Sequence, residues 1–293
     1  MTPPAPRHRR RWVRWLPLAP SVLVVSVLFV YPLLHFLRFS FDTLHQGRLI
    51  RGFSFDAYRA FAGEAYYWLN VWTTLKLAAV VTLVCMAVGY PLAYAIWSVR
   101  SPRARRWVSF AVMSPLVVSV VVRAYGWLVL LGRQGAANYL LQRVGLTHQP
   151  VALVNNLTGV VIATVHVLLP FMVFPLLAAL DRVDVSLKEA AADLGAPRWQ
   201  VFRAVTWPLT LHGLAAGAQL VFPLALSAYV TPQLLGGGRV LVLSTLIYQT
   251  TINVNWPIAT VASIVLMLMT VLATLALLQV TRRSGRARGL QLR

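Results

Sequence analysis

Residues 157–180 read LTGVVIATVHVLLPFMVFPLLAAL. This stretch contains no Asp, Glu, Lys or Arg, and a helix of about 20 apolar residues is long enough to cross the hydrocarbon core of a bilayer. Five further apolar runs of this kind occur, at 16–37, 73–97, 107–131, 211–230 and 257–280. The sequence therefore predicts an all-α, polytopic membrane protein with six transmembrane helices.

The composition agrees with this class of protein. Hydrophobic residues make up 58% of the chain and charged residues 12%, which is too apolar for a water-soluble domain. The net charge of +20 does not come from one basic face of the kind that binds nucleic acid, because 18 of the 27 Lys and Arg residues fall in 1–15, 98–106, 181–210 and 281–293. These segments alternate with loops that carry only seven, so the positive-inside rule predicts both termini in the cytoplasm and basic segments in contact with anionic membrane lipid.

The ends of the chain have the same basic character. We expect a basic cytoplasmic tail at 1–15, a transmembrane domain at 16–280 and a second basic tail at 281–293. The first apolar run is longer than an ordinary signal-peptide core and no small-x-small cleavage site follows it, which favours a retained span. The single cysteine, Cys85, lies in the second span, which excludes a disulfide within the chain and a cysteine-based metal cluster.

The segment 181–210 differs from the other basic loops, because it holds four of the seven acidic residues. Ser186 and Glu189 have the spacing of a capping box, which predicts a helix that begins at 186. Gly195 can adopt the left-handed backbone conformation with which helices commonly end, so it is expected to end this helix. Pro197 then begins a second short helix over 197–207, and Pro208 is expected to break it before the fifth span. The loop is thus predicted to fold as a helix-turn-helix between the fourth and fifth spans.

The same loop resembles a known family. Glu189-Ala190-Ala191, three residues, Gly195, nine residues and Val205-Thr206-Trp207-Pro208 are similar to the EAA loop of binding-protein-dependent ABC importer permeases. The spacing matches in full, while Val205 and Trp207 replace the usual Ile and Leu. Three further stretches resemble the spermidine/putrescine branch of the family, at 115–131, 131–135 and 229–237.

This resemblance implies a type I importer in the bacterial inner membrane. Its partners would be a second, related permease chain, two cytoplasmic ATPase subunits and an extracytoplasmic solute-binding protein. The loop would be the coupling helix that seats on an ATPase subunit. The residues carried over are Glu189, Ala190, Ala191, Gly195 and Pro208, and it stays open whether Glu189 contacts the ATPase or only caps its own helix.

The spans contain no Asp or Glu, which argues against a proton-coupled secondary carrier, a less favoured alternative. Arg123 either lines the translocation path or braces helices through backbone carbonyls, and His166 either lines the path or packs as a hydrogen-bonded histidine. Tyr125, Trp127 and Tyr229 offer ring faces that can bind a cationic solute. The candidate path residues are Arg123, Tyr125, His166 and Tyr229.

The solute itself stays open at this point. The branch resemblance implies a polyamine, but Arg123 in the path would repel a cation and would suit an anionic, zwitterionic or amino-acid-like solute. The chain has no phosphate-binding G-x-x-x-x-G-K-[ST] loop and no metalloenzyme motif, so we expect no catalytic, cofactor or metal site. ATP and Mg²⁺ are expected on a partner ATPase subunit.

Three features are predicted for the outer loops. A short amphipathic helix is expected between Gly135 and Gly145. The glycine-rich stretch 231–239 is expected to be non-helical and flexible. Asn255 and Pro257 are expected to begin the last helix.

Overall fold

The computed structural model describes residues 19–45 and 48–289, so the predicted tail at 1–15 lies outside the described residues. The fold is helical. In the first half of the chain the elements are α1 Ala19–Val25, a π-helical turn Ser26–Val30, α2 Tyr31–Arg38, a 3-10 turn Phe39–Phe41, β1 Thr43–His45, β2 Arg48–Ile50, α3 Asp56–Gly63, α4 Ala65–Ser98, α5 Pro102–Val117, α6 Val120–Leu131 and α7 Ala136–Arg143.

The second half contains only helices and turns among the described residues. They are α8 Leu157–Leu180, α9 Val185–Asp193, α10 Arg198–Val201, a π-helical turn Phe202–Thr206, α11 Trp207–Leu226, α12 Val230–Leu235, α13 Leu243–Ile252 and α14 Trp256–Gly289. The last helix therefore continues from the sixth span into the segment predicted as the C-terminal tail.

Five helical segments of the described chain are long and apolar enough to cross a membrane, and a bent pair makes a sixth. The five are Pro20–Phe41, Ala65–Ser98, Leu157–Leu180, Arg198–Leu226 and Trp256–Gln279. The all-α, polytopic prediction is confirmed. It did not include the small antiparallel hairpin β1–β2, in which Thr43 pairs with Ile50.

The third predicted span, 107–131, is not one straight helix. The helix ends at Val117, and the segments Pro102–Val117 and Val120–Arg143 meet at an angle of 101°. Pro115 lacks an N–H, and the valines that follow it are poor helix formers because they are β-branched. The Pro115 carbonyl, which Ser119 would bond in a continuous helix, instead accepts a hydrogen bond from the Arg123 guanidinium. This side-chain contact replaces a backbone bond at the break.

The core of the bundle is formed by α4, α8 and α11, which pack closely because glycines face Met172 of α8. A Cβ atom on Gly89 of α4 would lie 2.8 Å from the Met172 Cγ, and one on Gly217 of α11 would lie 2.6 Å from the Met172 Sδ. Small residues at such contacts let helix backbones approach closely within a membrane, where the hydrophobic effect does not drive helices together.

The outer loops agree in part with the sequence. The short helix α7 and the positive φ of Gly145 are as expected, and the Asn255 side chain accepts a bond from the Ile258 amide at the start of α14. The prediction for 231–239 was wrong in its first half, since α12 is helical as far as Leu235. Pro232 lies in the first turn of this six-residue helix, where backbone N–H groups have no partner within the helix. Its missing N–H therefore costs the helix no hydrogen bond. Gly237 and Gly238, with φ of +54° and +73°, then form the non-helical part.

Candidate coupling loop and translocation path

The loop between α8 and α11 folds as two short helices joined by a tight turn. We call α9, α10 and their connection, residues 185–201, the knob. Gly195 has φ +79°, and the Ala196 amide donates to the Ala191 carbonyl at 3.1 Å. A left-handed glycine with a bond from the residue after it back to the last helical turn is the Schellman ending. The predicted stop at Gly195 is confirmed.

The start of the knob differs from the prediction. The helix begins at Val185, and the Asp184 side chain accepts a hydrogen bond of 2.9 Å from the Ser186 amide. Asp184 therefore caps the helix, and the proposed Ser186 capping box was wrong because a carboxylate two residues earlier already takes that amide. Backbone and side-chain hydrogen bonds from Ser186 lower the pKa of Asp184. Glu189 is exposed on the helix, one turn beyond the cap.

Pro208 does not end the second helix, which was the second wrong prediction for this loop. Arg198 to Leu226 is one helical segment of 29 residues. A π-helical turn over Phe202–Thr206 ends two residues before Pro208, in the turn where the missing N–H and the proline ring would disturb a regular α-helix. The wider turn absorbs the proline, so the knob is continuous with α11.

An aromatic cluster fixes the knob to α4. The Phe202 ring lies 5.5 Å from Tyr94, 6.0 Å from Tyr90 and 5.8 Å from Trp199, measured between ring centroids. Trp207, which departs from the family pattern, packs 4.8 Å from Tyr90. The larger ring therefore fills a contact with α4 instead of disturbing the end of the loop.

Polar contacts join the same elements. The Tyr90 hydroxyl lies 2.9 Å from the Thr210 Oγ1, so it links α4 to α11. At the other side of the knob, the Arg105 Nη2 of α5 lies 2.8 Å and 2.7 Å from the two carboxylate oxygens of Asp181, at the end of α8. Sequence reasoning missed Arg105, Tyr90 and Tyr94, because no local pattern shows that residues so far apart in the chain meet.

The outer surface of the knob exposes apolar side chains. Leu194 is 89% exposed, Trp199 is 68% exposed and Leu187 is 49% exposed. Three large apolar residues on one small polar loop have no counterpart to cover them within the described chain. An exposed apolar patch of this kind is typical of a protein interaction site.

The candidate path residues do not all meet. Arg123 lines an open cavity of about 320 Å³ together with Trp127 and His166, and its guanidinium faces the Pro115 carbonyl. The Trp127 Nε1 donates to the His166 Nδ1 at 3.2 Å, so His166 is held by a hydrogen bond and carries its proton on Nε2 when neutral. Both polar side chains thus have structural partners beside the cavity, and their part in a path stays a prediction.

Two tyrosines lie elsewhere. Tyr125 is 55% exposed and lines a different depression, with Gln134 and Gly135. Tyr229 lies before α12 and packs against Tyr248 of α13, with ring centroids 4.8 Å apart. The four candidates therefore divide into one pair at a shared cavity and two separate positions. Within residues 19–45 and 48–289, no group of three or more His, Cys, Asp and Glu side chains is placed to hold a metal ion.

The bundle of membrane spans with a folded, apolar-tipped loop between its fourth and fifth spans defines a class of transport permease. The chain belongs to the family described as binding-protein-dependent transport system inner membrane component, whose model matches residues 5–285. It is thus a multi-pass inner-membrane permease subunit of an ABC-type importer, and this subunit is not itself an enzyme.

Two permeases and one solved structure are similar to this chain. The chain is 31% identical over 243 residues to the spermidine/putrescine transport system permease protein PotB of Escherichia coli K12, covering 82% of this chain and 88% of that one. It is 36% identical over 195 residues to PotB of Haemophilus influenzae, covering 66% and 68%. A crystal structure of a bacterial ABC transporter that imports the acidic polysaccharide alginate has the same fold, with a TM-score of 0.77, 22% identity and coverage of 94% and 96%.

Proposed function

We propose that this permease forms one half of a path for a polyamine of the spermidine or putrescine class. An extracytoplasmic binding protein delivers the solute, and ATP hydrolysis on two separate cytoplasmic ATPase subunits drives its movement. Both termini and the knob lie in the cytoplasm, and a second, related permease completes the path. The observation that carries the coupling to an ATPase is the knob with its exposed Leu187, Leu194 and Trp199.

The knob is suited to seat on another protein for two reasons. Its exposed apolar tip gains free energy when a partner removes it from water. Its capped start at Asp184 and its Schellman ending at Gly195 hold α9 in one shape before docking, which reduces the ordering cost of association. Glu189 and Ala190 are exposed on the same short helix and are therefore available to a partner.

The contacts behind the knob supply a route for movement. Phe202 joins the knob to Tyr90 and Tyr94 of α4, and the continuous helix from Arg198 to Leu226 joins it to the core. If the ATPase displaces the knob, α4 and α11 would therefore move with it. The side chains in these contacts are close-packed and barely compressible, so they transmit the displacement.

The solute class rests on the two PotB relatives. The spans of this chain hold no carboxylate for a cation, so an ammonium group would have to be attracted by aromatic ring faces, such as those of Tyr229 and Tyr248. Arg123 opposes a cation in the cavity that it lines. The same charge favours an anionic or zwitterionic solute, which is therefore the second candidate, and any carboxylates for a polyamine would come from the second permease.

Uptake assays separate these candidates. Proteoliposomes that contain the complete complex, its binding protein and internal ATP should accumulate labelled spermidine or putrescine. An excess of an anionic or zwitterionic solute should not compete. Competition by the anion, together with loss of that competition in Arg123→Gln, would replace the polyamine by the second candidate.

The coupling role of the knob has its own test. Glu189→Ala and Gly195→Asp should leave the complex in the membrane but uncouple ATP hydrolysis from transport. Asp56→Ala changes an exposed acidic residue at the start of α3 and serves as the matched control. Unchanged transport in both knob variants would contradict the assignment.

A further inference from the structure

One face of α5 combines charge and apolar surface in a pattern that the transport function does not use. Ser109, Phe110 and Met113 lie three, four and seven residues after Arg106, so the four side chains form a single stripe along the helix. With Pro102 and Arg105 they line an open cavity of about 490 Å³. The cavity is a groove along the helix, basic at one end and apolar at the other.

The basic end carries more charge than the chain itself neutralises. Arg105 is engaged by Asp181, whereas Arg103 and Arg106 are exposed. Arg106 uses its Nε to bond the Pro102 carbonyl at 3.4 Å, which points the guanidinium back along the first turn and leaves its two terminal nitrogens available to another acceptor. Arg103 lies one turn before Arg106 on the same side of the helix.

The apolar end belongs to a bent helix pair that is long and apolar enough to cross a membrane. Phe110 is 61% exposed and Met113 is 43% exposed, and Trp107, which is 73% exposed, lies 6.3 Å from the Phe110 ring. Tryptophan collects at the boundary between hydrocarbon and headgroups. Arg103, one turn before Trp107, and Arg106, directly before it, are then at headgroup level, and the apolar part of the groove runs into the hydrocarbon.

We infer that this groove on α5 is a binding site for an anionic phospholipid of the cytoplasmic leaflet. Arg106 and Arg103 bind its phosphate, and an acyl chain lies along Phe110 and Met113. A lipid fits both ends of the groove, whereas a soluble anion would occupy only the basic end. Basic pockets on the cytoplasmic side of membrane helices select anionic headgroups in this way. The inference uses the orientation proposed above but not the identity of the solute.

The site lies beside the attachment of the knob. Arg105, which lines the groove, holds Asp181 at the end of α8, three residues before the Asp184 cap. A lipid in the groove would therefore pack against the same turn of α5 that anchors the coupling loop.

Native mass spectrometry tests the site directly. The full-length chain, released from nanodiscs made of equal amounts of phosphatidylglycerol and phosphatidylcholine, should retain phosphatidylglycerol in excess. Arg106→Gln should reduce this excess by about fivefold, as expected for one lost arginine contact at the membrane surface. Arg103→Gln, a second exposed position, should act in the same direction.

The matched control is Arg100→Gln, which removes one exposed arginine from the same basic segment but lies before α5 begins at Pro102. It should keep the lipid preference of the parent chain. An equal loss in Arg100→Gln, or no excess of phosphatidylglycerol in the parent chain, would overturn the proposal. Because the measurement is lipid retention, its failure would leave the proposed transport function unaffected.

Discussion

Arg105 of α5 binds both carboxylate oxygens of Asp181 through one terminal nitrogen, at 2.8 Å and 2.7 Å. The two residues are 76 positions apart in the sequence. Their contact ties the first turn of α5 to the end of the fourth span, four residues before the knob. The coupling loop is thereby held at its start by an ion pair and at its end by an aromatic cluster.

The ion pair should matter more for coupling than for stability. Its side chains are 34% and 46% exposed, and pairs with such exposure contribute less than about 1 kcal/mol. A double-mutant cycle with Arg105→Gln and Asp181→Asn should therefore give a small coupling energy in thermal unfolding, while each single variant lowers transport per ATP hydrolysed. Fully additive effects in both assays would show that the contact has no function.

Phe202→Ala should uncouple the transporter more strongly, because it removes the ring that Tyr90, Tyr94 and Trp199 all contact. We expect ATP hydrolysis to persist and uptake to fall severalfold. Phe53→Ala, at an aromatic residue that is 77% exposed in the first outer loop, is the matched control. Equal losses in the two variants would refute a special role for the cluster.

Gly195→Ala tests the turn of the knob. A Cβ atom on Gly195 meets nothing within 4 Å, so any effect comes from its φ of +79°, which costs an L-residue about 1 kcal/mol. The variant should fray the end of α9 and weaken co-purification of the ATPase. Gly63→Ala also adds a Cβ in open space but without a positive φ, and it should leave both measurements unchanged.

Gly213→Ala tests the core. The added Cβ would lie 2.9 Å from the Pro175 carbonyl and would also clash with the Ala179 Cβ, so it forces α8 and α11 apart. Overpacking of this kind costs about 1–3 kcal/mol, which a lower unfolding temperature in detergent should reveal. The double variant with Ala179→Gly should recover part of that loss. No recovery would mean that the backbone contact alone sets the cost.

Asp184 gives the knob a pH dependence whose sign follows from its cap. Its pKa is lowered in the folded chain, so its contribution is present above the ordinary Asp pKa and is lost as the pH falls through the lowered value. Asp184→Ala should therefore increase proteolysis of the knob at neutral pH, while Asp184→Asn should retain most of the cap. Equal cleavage of the parent and Asp184→Ala would contradict the cap.

The sequence was informative where one strong local signal acts alone. The uncharged stretch 157–180 coincides with α8, and Gly195 ends α9 because few residues other than glycine accept a left-handed conformation there. The prediction of a Ser186 capping box was wrong because a second capping residue, Asp184, lies two positions earlier and accepts the hydrogen bond of the Ser186 amide. The prediction of a helix end at Pro208 was wrong because the π-helical turn before it accommodates the proline without ending the helix.

Contacts between distant residues account for the remaining differences. The break after Val117 depends on Arg123 reaching the Pro115 carbonyl, which hydrophobicity along the chain does not reveal. The same holds for the contact of Trp207 with Tyr90. Of the four candidate path residues, Arg123 and His166 share a cavity, and the bend in the third span contributes to where Arg123 and Tyr125 lie.

The most direct test of the account is ATP-dependent uptake by the reconstituted complex. Labelled spermidine uptake into proteoliposomes is measured with and without internal ATP, for the parent chain and for Leu194→Glu, which places a charge on the exposed tip of the knob. We expect ATP-dependent uptake by the parent chain, and loss of both uptake and ATPase co-purification in Leu194→Glu. Uptake that needs no ATPase subunit, or that is unchanged in Leu194→Glu, would contradict it.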